Sequence, residues 1–237
     1  MTPQKARYCV LAPTYNNAPT LDGVLRGVLK QTSDIIVVND GSTDGTQGIL
    51  DRFPAITQLR HTANYGKGAA LRAGLKLAVK LGYTHAISLD SDGQHRPEDL
   101  SKFIEALQAS PDALVIGNRN LRGAGPQFKS RLLRFNSNFW TWVITGRWIQ
   151  DSQSGFRAYP LHAVSILSLG AMKYDFESEA LIKLCWKGIP VIHVPIEVLY
   201  HTKSPSHFRY VRDSALVVRL NCRLMARRFL FSKHHEA

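Results

Sequence analysis

His85-Ala86-Ile87-Ser88-Leu89-Asp90-Ser91-Asp92-Gly93-Gln94-His95 decides how the rest of this 237-residue sequence is read. A short apolar run rich in strand formers ends abruptly in two carboxylates one residue apart, with a carboxamide two residues further on. Asp90, Asp92 and Gln94 therefore offer oxygens at alternate positions, on one side of an extended chain. Hard divalent cations such as Mg²⁺ and Mn²⁺ take oxygen ligands and leave positions open for substrate phosphates. Asp-Ser-Asp-Gly is also ordinary turn chemistry, so the neighbouring strands must decide between a metal site and a turn.

Outward from this stretch, strands and helices alternate. Tyr8 to Pro13 reads as a first strand, stopped by Pro13-Thr14-Tyr15-Asn16-Asn17. Leu21, Val24, Leu25, Val28 and Leu29 recur at helical spacing, and Ile35-Ile36-Val37-Val38 follows as a buried strand ending at Asn39-Asp40. The pattern repeats with helices expected at about 44–52, 67–81 and 97–107, and strands at about 56–59, 85–89 and 113–117. Strand, helix, strand in so few residues is a parallel crossover, so the fold class is α/β, with ligands expected beyond the carboxyl ends of the strands. Three strand ends carry chemistry. Asp40 can accept hydrogen bonds from a ribose or a base, or close its own turn. Asn64-Tyr65-Gly66-Lys67-Gly68 opens a helix with an ammonium and bare backbone N–H groups, suited to phosphate. The third end is the Asp90 stretch.

The charge is lopsided. Residues 1–118 carry a net charge of +1 and residues 119–237 a net charge of +11. Something acidic is expected to meet the second half: nucleic acid, an anionic membrane surface or a phosphorylated substrate. Cys9, Cys185 and Cys222 show no metal-ligand spacing and read as buried or incidental thiols of a reducing compartment. The first residues lack a signal-peptide pattern and no run is long and apolar enough to span a bilayer, so a cytoplasmic, soluble or surface-bound protein is expected.

With Pro13-Thr14-Tyr15-Asn16, Asn39-Asp40-Gly41-Ser42, Asn64-Tyr65-Gly66-Lys67-Gly68, Asp90-Ser91-Asp92 and Asp151-Ser152-Gln153-Ser154-Gly155-Phe156 in this order, residues 7–200 resemble family 2 glycosyltransferases of the GT-A fold. The branch they resemble is that of the polyprenyl-phosphate (dolichyl-phosphate) mannose and glucose synthases. The resemblance implies a mainly parallel central sheet flanked by helices, a nucleoside diphosphate sugar donor and inversion at the anomeric carbon. It implies that Pro13, Tyr15, Asn17, Asp40, Lys67, Asp90 and Ser91 bind the donor, and that Asp90, Asp92 and Gln94 hold Mg²⁺ or Mn²⁺ against the leaving diphosphate. Those synthases commonly have Glu where this chain has Asn17, which leaves UDP or GDP open.

On the acceptor side, the resemblance assigns Arg119, Arg131 and Arg134 to an acceptor phosphate, a task suited to arginine's rigid fork. Asp151 and Ser154 would shape the pocket, and His207 and Arg209 would lie on a loop closing over the diphosphate. Glu177 is the candidate base if the acceptor is a hydroxyl, or else helix-start chemistry. One GT-A domain is expected over 1–205, with a donor half at 7–118 and an acceptor half at 119–205. A basic amphipathic helix and tail would follow at 206–237. In that helix Val211, Ala215, Val218, Cys222, Met225 and Phe229 form one stripe, beside Arg212, Arg219, Arg223 and Arg227, with Leu216, Leu220 and Leu224 beyond. It either lies in an anionic membrane interface or packs on the domain. Trp140, Trp142 and Trp148 offer a second membrane-facing set or a core.

The expected activity is transfer of a hexose to a lipid, with polyprenyl phosphate the leading acceptor, at the cytoplasmic membrane face. A hydroxyl-bearing lipid or glycolipid of the cell envelope is the alternative. A nucleic-acid partner is disfavoured, because acids at strand ends repel phosphate without a metal and no recognition motif is present. A homo-oligomer is compatible with the sequence.

Overall fold

The computed structural model describes residues 7–120, 127–199 and 210–231. A seven-stranded sheet runs through the molecule in the order β3-β2-β1-β4-β6-β5-β7. Its strands are β1 (Tyr8–Thr14), β2 (Ile35–Asn39), β3 (Thr57–Arg60), β4 (His85–Ser88), β5 (Leu114–Arg119), β6 (Arg157–Pro160) and β7 (Val191–Ile196). All neighbours are parallel except β6, which runs antiparallel to both β4 and β5.

Helices α1 (Ala18–Leu29), α2 (Thr46–Leu50), α3 (Lys67–Lys80) and α4 (Leu100–Ala109) connect the parallel strands, with a short 3₁₀ turn at Pro97–Asp99 before α4. Alternating residues of the strands feed two cores. Cys9, Leu11, Ile36 and Val38 pack under α3 and later helices, whereas Val10, Val37, Ile87 and Val115 pack under α1 and α4. The second half adds α5 (Gln127–Thr145), α6 (Leu161–Ser165), α7 (Asp175–Trp186) and α8 (Tyr210–Phe231). These elements follow the sequence reading closely in the first 119 residues. β6 and α6 have no counterpart in it, because a four-residue strand with arginine at its start carries no periodic signal.

The final helix packs only partly through its first stripe, of which Met225 joins the buried cluster. Leu220 and Leu224 are buried against Ile144 of α5 and Ile182 of α7, whereas Val218 is 59% exposed and Cys222 is exposed. Among the described residues, no helix is long and apolar enough to cross a membrane.

The loop into α3 is fixed by close backbone approach. Gly66 has φ +102°, a conformation reserved for glycine. A Cβ at Gly68 would lie 2.6 Å from the Lys173 carbonyl oxygen and 2.7 Å from the Met172 carbonyl carbon, both backbone atoms that cannot swing aside. Gly68→Ala is therefore expected to lose about 1–3 kcal/mol of stability. Gly23→Ala, with nothing within 4 Å of its added methyl, should gain about 0.5–1 kcal/mol from helix propensity. Urea unfolding of the two variants against wild type reads both signs.

Candidate active site

The carboxyl ends of β1, β2, β4 and β5 open into a cleft of about 940 Å³. Register delivers the chemistry there: Thr14 pairs with Asn39 and Leu11 with Ser88, so Asp40 and the Asp90 loop emerge at the same sheet edge. One wall carries Pro13, Tyr15, Asn17 and Asp40; the middle carries Lys67, Asp90, Asp92, Gln94 and Glu177. The lining residues from α5 and α8 are Leu133, Asn136, Ser137, Trp140, Val217, Val218 and Asn221.

Asp40 is buried and largely committed. Its Oδ1 meets His61 Nδ1 at 2.6 Å and accepts from the Tyr65 amide at 3.1 Å, while Oδ2 accepts from the Gly66 amide at 2.7 Å. Asp40 thus builds the turn that aims Lys67, and a carboxylate's four lone-pair sites leave about one for a ligand. Nearby, Asn17 Nδ2 donates to Ser91 Oγ (2.8 Å), which donates to the Pro13 carbonyl (3.0 Å). Asn17 Oδ1 is left as a buried acceptor with no partner at the cleft wall.

The centre of the cleft is a charge cluster. Lys67 Nζ lies 2.7 Å from Asp90 Oδ1, 3.0 Å from Oδ2 and 3.2 Å from Glu177 Oε1. Burial would lower the lysine pKa, but the two carboxylates prevail and raise it, so the ammonium is fixed. Burial would likewise raise Asp90, yet Lys67 holds it below the usual carboxylate range. Asp92 goes the other way, raised by burial and by the charge of Asp90, with its Oδ1 accepting from the Gln94 amide at 2.9 Å. Gly155 floors the cluster: a Cβ there would sit 2.8 Å from Asp90 Oδ2 and from Lys67 Nζ.

These residues fit a hard cation. One buried carboxylate beside another resists ionising, which a divalent ion would relieve, and Gln94 adds a neutral oxygen. Among the described residues, no three His, Cys, Asp or Glu side chains converge as a metal-binding group. Two carboxylates, a carboxamide and the substrate's own oxygens would have to suffice. His95 adds no charge, since burial pushes it down to about 4 and its ring packs on Phe156.

Arg119 reaches the cleft from β5 and is gripped by the fully buried Asp151, Nε to Oδ2 at 2.7 Å and Nη2 to Oδ1 at 2.8 Å. Arg134 donates to the Arg119 carbonyl at 2.9 Å, so it braces Arg119 without lining the cleft. Ser154 is buried, its Oγ without a partner. Arg131 lies on the exposed side of α5, outside the cleft lining. Leu133, Ser137 and Trp140 define the lining edge, and two residues of helix turn Arg131 roughly 200° away from Leu133. His207 and Arg209 lie outside the described residues.

Sequence reasoning gave no role to Arg157. It is fully buried, donating to the carbonyls of Ser154 (Nε, 2.7 Å), Glu177 (Nη1, 2.6 Å) and Ser152 (Nη2, 2.7 Å). The signal was an arginine inside an apolar segment, Phe156 to Tyr159, where a charge must have partners.

Residues 9–165 match the family model of glycosyl transferase family 2. The chain belongs to that family. A UDP-N-acetylglucosamine–dolichyl-phosphate N-acetylglucosaminyltransferase of Methanococcus voltae is 31% identical, over 81% of this chain and 85% of the relative. A polyprenol monophosphomannose synthase of Mycolicibacterium smegmatis is 32% identical, over 80% of this chain and 76% of the relative. In structure, the family 2 chain is similar to glucosyl-3-phosphoglycerate synthase from Mycobacterium tuberculosis, in complex with Mn²⁺, UDP and glucosyl-3-phosphoglycerate. That similarity has a TM-score of 0.69 at 18% identity, covering 94% of this chain and 80% of the neighbour. The fold is GT-A.

The Arg119–Asp151 pair makes the site acid-sensitive. Burial would raise the Asp151 pKa, but the Arg119 and Arg134 guanidinium groups hold it below the usual carboxylate range. A lowered folded-state pKa means stability present above the unfolded value of about 3.9 and lost as pH falls through the folded value. The melting temperature of wild type should fall more steeply than that of Asp151→Asn between about pH 5 and pH 3. At neutral pH, Asp151→Asn should cost about 3 kcal/mol, having left a guanidinium without its buried counter-charge.

Proposed function

We propose that this glycosyltransferase moves a hexose, with inversion, from a UDP- or GDP-sugar to polyprenyl phosphate at the cytoplasmic face of the membrane. The observation that carries the reading is the polarity of the cleft. Its donor end is backbone and carboxylate, its centre holds Lys67, Asp90, Asp92 and Glu177, Arg119 stands on the acceptor side, and the α5 and α8 residues that line it set Leu133, Trp140, Val217 and Val218 beside Asn136, Ser137 and Asn221. A substrate with a phosphate head and a hydrocarbon tail matches that sequence of surfaces. The names of the Methanococcus and Mycolicibacterium relatives, which carry dolichyl phosphate and polyprenol monophosphomannose, support the same class.

In this reading Pro13, Tyr15 and Asn17 receive the nucleoside, with Asn17 Oδ1 supplying an acceptor that needs a donor. Asp90, Asp92 and Gln94 would hold Mg²⁺ or Mn²⁺, which supplies Lewis-acid neutralisation of the leaving diphosphate. Arg119, held rigid by Asp151 and Arg134, orients the acceptor phosphate. The acceptor oxygen forms a bond to the anomeric carbon as the bond to the nucleoside diphosphate breaks, and the electron pair leaves on the β-phosphate oxygen. A phosphate monoester is already anionic at neutral pH, its second pKa being about 6, so no base is required. Glu177 then serves to hold Lys67 beside Asp90.

The test is turnover by purified protein with Mg²⁺ or Mn²⁺, a panel of UDP- and GDP-sugars, and undecaprenyl phosphate. A lipid-phosphate sugar is the expected product, lost on chelation with EDTA and reduced by about 100-fold or more in Asp92→Ala. Glu177→Gln should keep most of the activity towards a phosphate. If only hydroxyl-bearing lipids accept sugar and Glu177→Gln abolishes that transfer, Glu177 is the base and the phosphate reading is wrong.

A further inference from the structure

Asp40 follows β2 directly and lies on the donor wall of the cleft, where three groups from residues 61–66 already hold its carboxylate. His61 Nδ1 lies 2.6 Å from Oδ1, the Tyr65 amide donates to Oδ1 at 3.1 Å, and the Gly66 amide donates to Oδ2 at 2.7 Å. A carboxylate only accepts, so Nδ1 of His61 carries its hydrogen towards Asp40. Each carboxylate oxygen has about two lone-pair sites. Oδ1 is therefore filled, and Oδ2 keeps one open site.

The loop fixes these donors in place. Both amides belong to the turn into α3, where Gly66 takes φ +102° and Gly41 brings its backbone against that of Ala63, so that a Cβ at Gly41 would lie 2.4 Å from the Ala63 carbonyl carbon. The His61 ring meets Tyr65 edge-on at 5.4 Å, and the Tyr65 hydroxyl pairs with Thr62 Oγ1 at 3.0 Å. His61 itself is largely buried behind the carboxylate, outside the cleft lining, so it reaches a ligand only through Asp40.

The number of open sites separates the two bases that the proposed function leaves open. The hydrogen-bonding edge of guanine presents two adjacent donors, N1–H and N2–H, which a carboxylate receives with one oxygen each. The corresponding edge of uracil presents a single donor, N3–H, between two carbonyls. An acceptor with one open site matches uracil. It sets one guanine donor against an oxygen whose sites are filled, leaving a polar group unpaired at the cleft wall. Asn64 lines the same wall, and its carboxamide carries N–H donors of the kind a uracil carbonyl accepts.

We propose that His61 is a positioning residue that restricts the donor to a uridine diphosphate sugar, by filling the Asp40 oxygen that guanine would need. This base choice rests on the reading above of the cleft as a nucleoside diphosphate sugar site. With His61 removed, Oδ1 keeps the Tyr65 amide and Oδ2 the Gly66 amide. Each oxygen then has one open site, and the carboxylate becomes a fork that takes both guanine donors.

The experiment is calorimetric titration of the full chain with UDP and with GDP in the presence of Mn²⁺, so that base choice is read without acceptor or turnover. Wild type should bind UDP about tenfold or more tighter than GDP. His61→Ala should shrink that ratio by about tenfold, chiefly by tightening GDP. His61→Asn, whose amide can still donate to Oδ1, should stay near the wild-type ratio. A role confined to holding the loop would weaken both nucleotides together and leave the ratio unmoved. The wild-type ratio stands as a test even if His61→Ala lowers the melting temperature. GDP binding as tightly as UDP in wild type overturns the proposal and leaves the donor site standing, and so does a ratio that His61→Ala does not move. Binding of neither nucleotide would overturn the donor-site reading and this base choice with it.

Discussion

A guanidinium group with no solvent exposure has to be surrounded by acceptors, and Arg157 is surrounded by three main-chain carbonyls. Among the described residues, no carboxylate lies within ion-pair distance of it. Its desolvation is therefore offset by charge-assisted bonds that work only if Ser152, Ser154 and Glu177 hold their backbones in place. Because β6 carries Arg157 between β4 and β5, the sheet fixes the guanidinium on which those three carbonyls converge. The loop 151–155 and the first turn of α7 are thus tied to one point. From that point Asp151 grips Arg119, Gly155 floors the cluster, and Glu177 reaches Lys67. Removing the guanidinium would leave three buried acceptors unsatisfied at the junction of donor and acceptor walls.

That junction also explains why Lys67 is not a free phosphate-binding cation. It sits between two carboxylates, so the cluster of Lys67, Asp90 and Glu177 is one negative charge in excess, and Asp92 adds another that burial resists. Such a set tolerates an incoming divalent cation better than an incoming bare anion. A diphosphate without its metal would meet net negative charge at the centre of the cleft, and the same diphosphate neutralised by a metal would not.

The donor half was legible in the sequence because its chemistry sits at the ends of strands. Strong apolar runs announce β1, β2, β4 and β5, and the residue after each run is automatically at the ligand-binding edge. Asp40, Asp90 and Asp92 reach the cleft for that reason. The acceptor half was less legible because side-chain direction there depends on helix phase and on the antiparallel β6. Arg131 and Arg134 are three residues apart, yet one faces solvent and the other braces Arg119. In α8, two plausible stripes compete, and the one with Leu220 and Leu224 wins because the wall formed by Ile144 and Ile182 accepts leucine there. The three tryptophans after Phe139 read more readily as core than as surface, yet all three are exposed, since periodicity reports which residues share a face and not which face is covered.

The two ends of the cleft are consequently built by different physics. At the donor end, positions are set by main-chain hydrogen bonds: two backbone amides on Asp40, the Pro13 carbonyl under Ser91, and the strand register behind both. At the far end, Leu133, Trp140, Val217 and Val218 are side chains of two helices that meet over a small cluster at Ile144, Ile182, Leu220 and Leu224. Main-chain positions are costly to change, whereas apolar walls repack at little cost. Under the proposed function, donor binding is a property of the sheet, and acceptor choice a property of the α5–α8 pair. A small hydrophilic acceptor would need polar anchors at that end, but Asn136, Ser137 and Asn221 are outnumbered there by hydrocarbon and an indole. The same α5 that lines the cleft with Leu133 and Trp140 turns Phe135 and Trp142 outward, so one helix carries both the inner and the outer apolar surface.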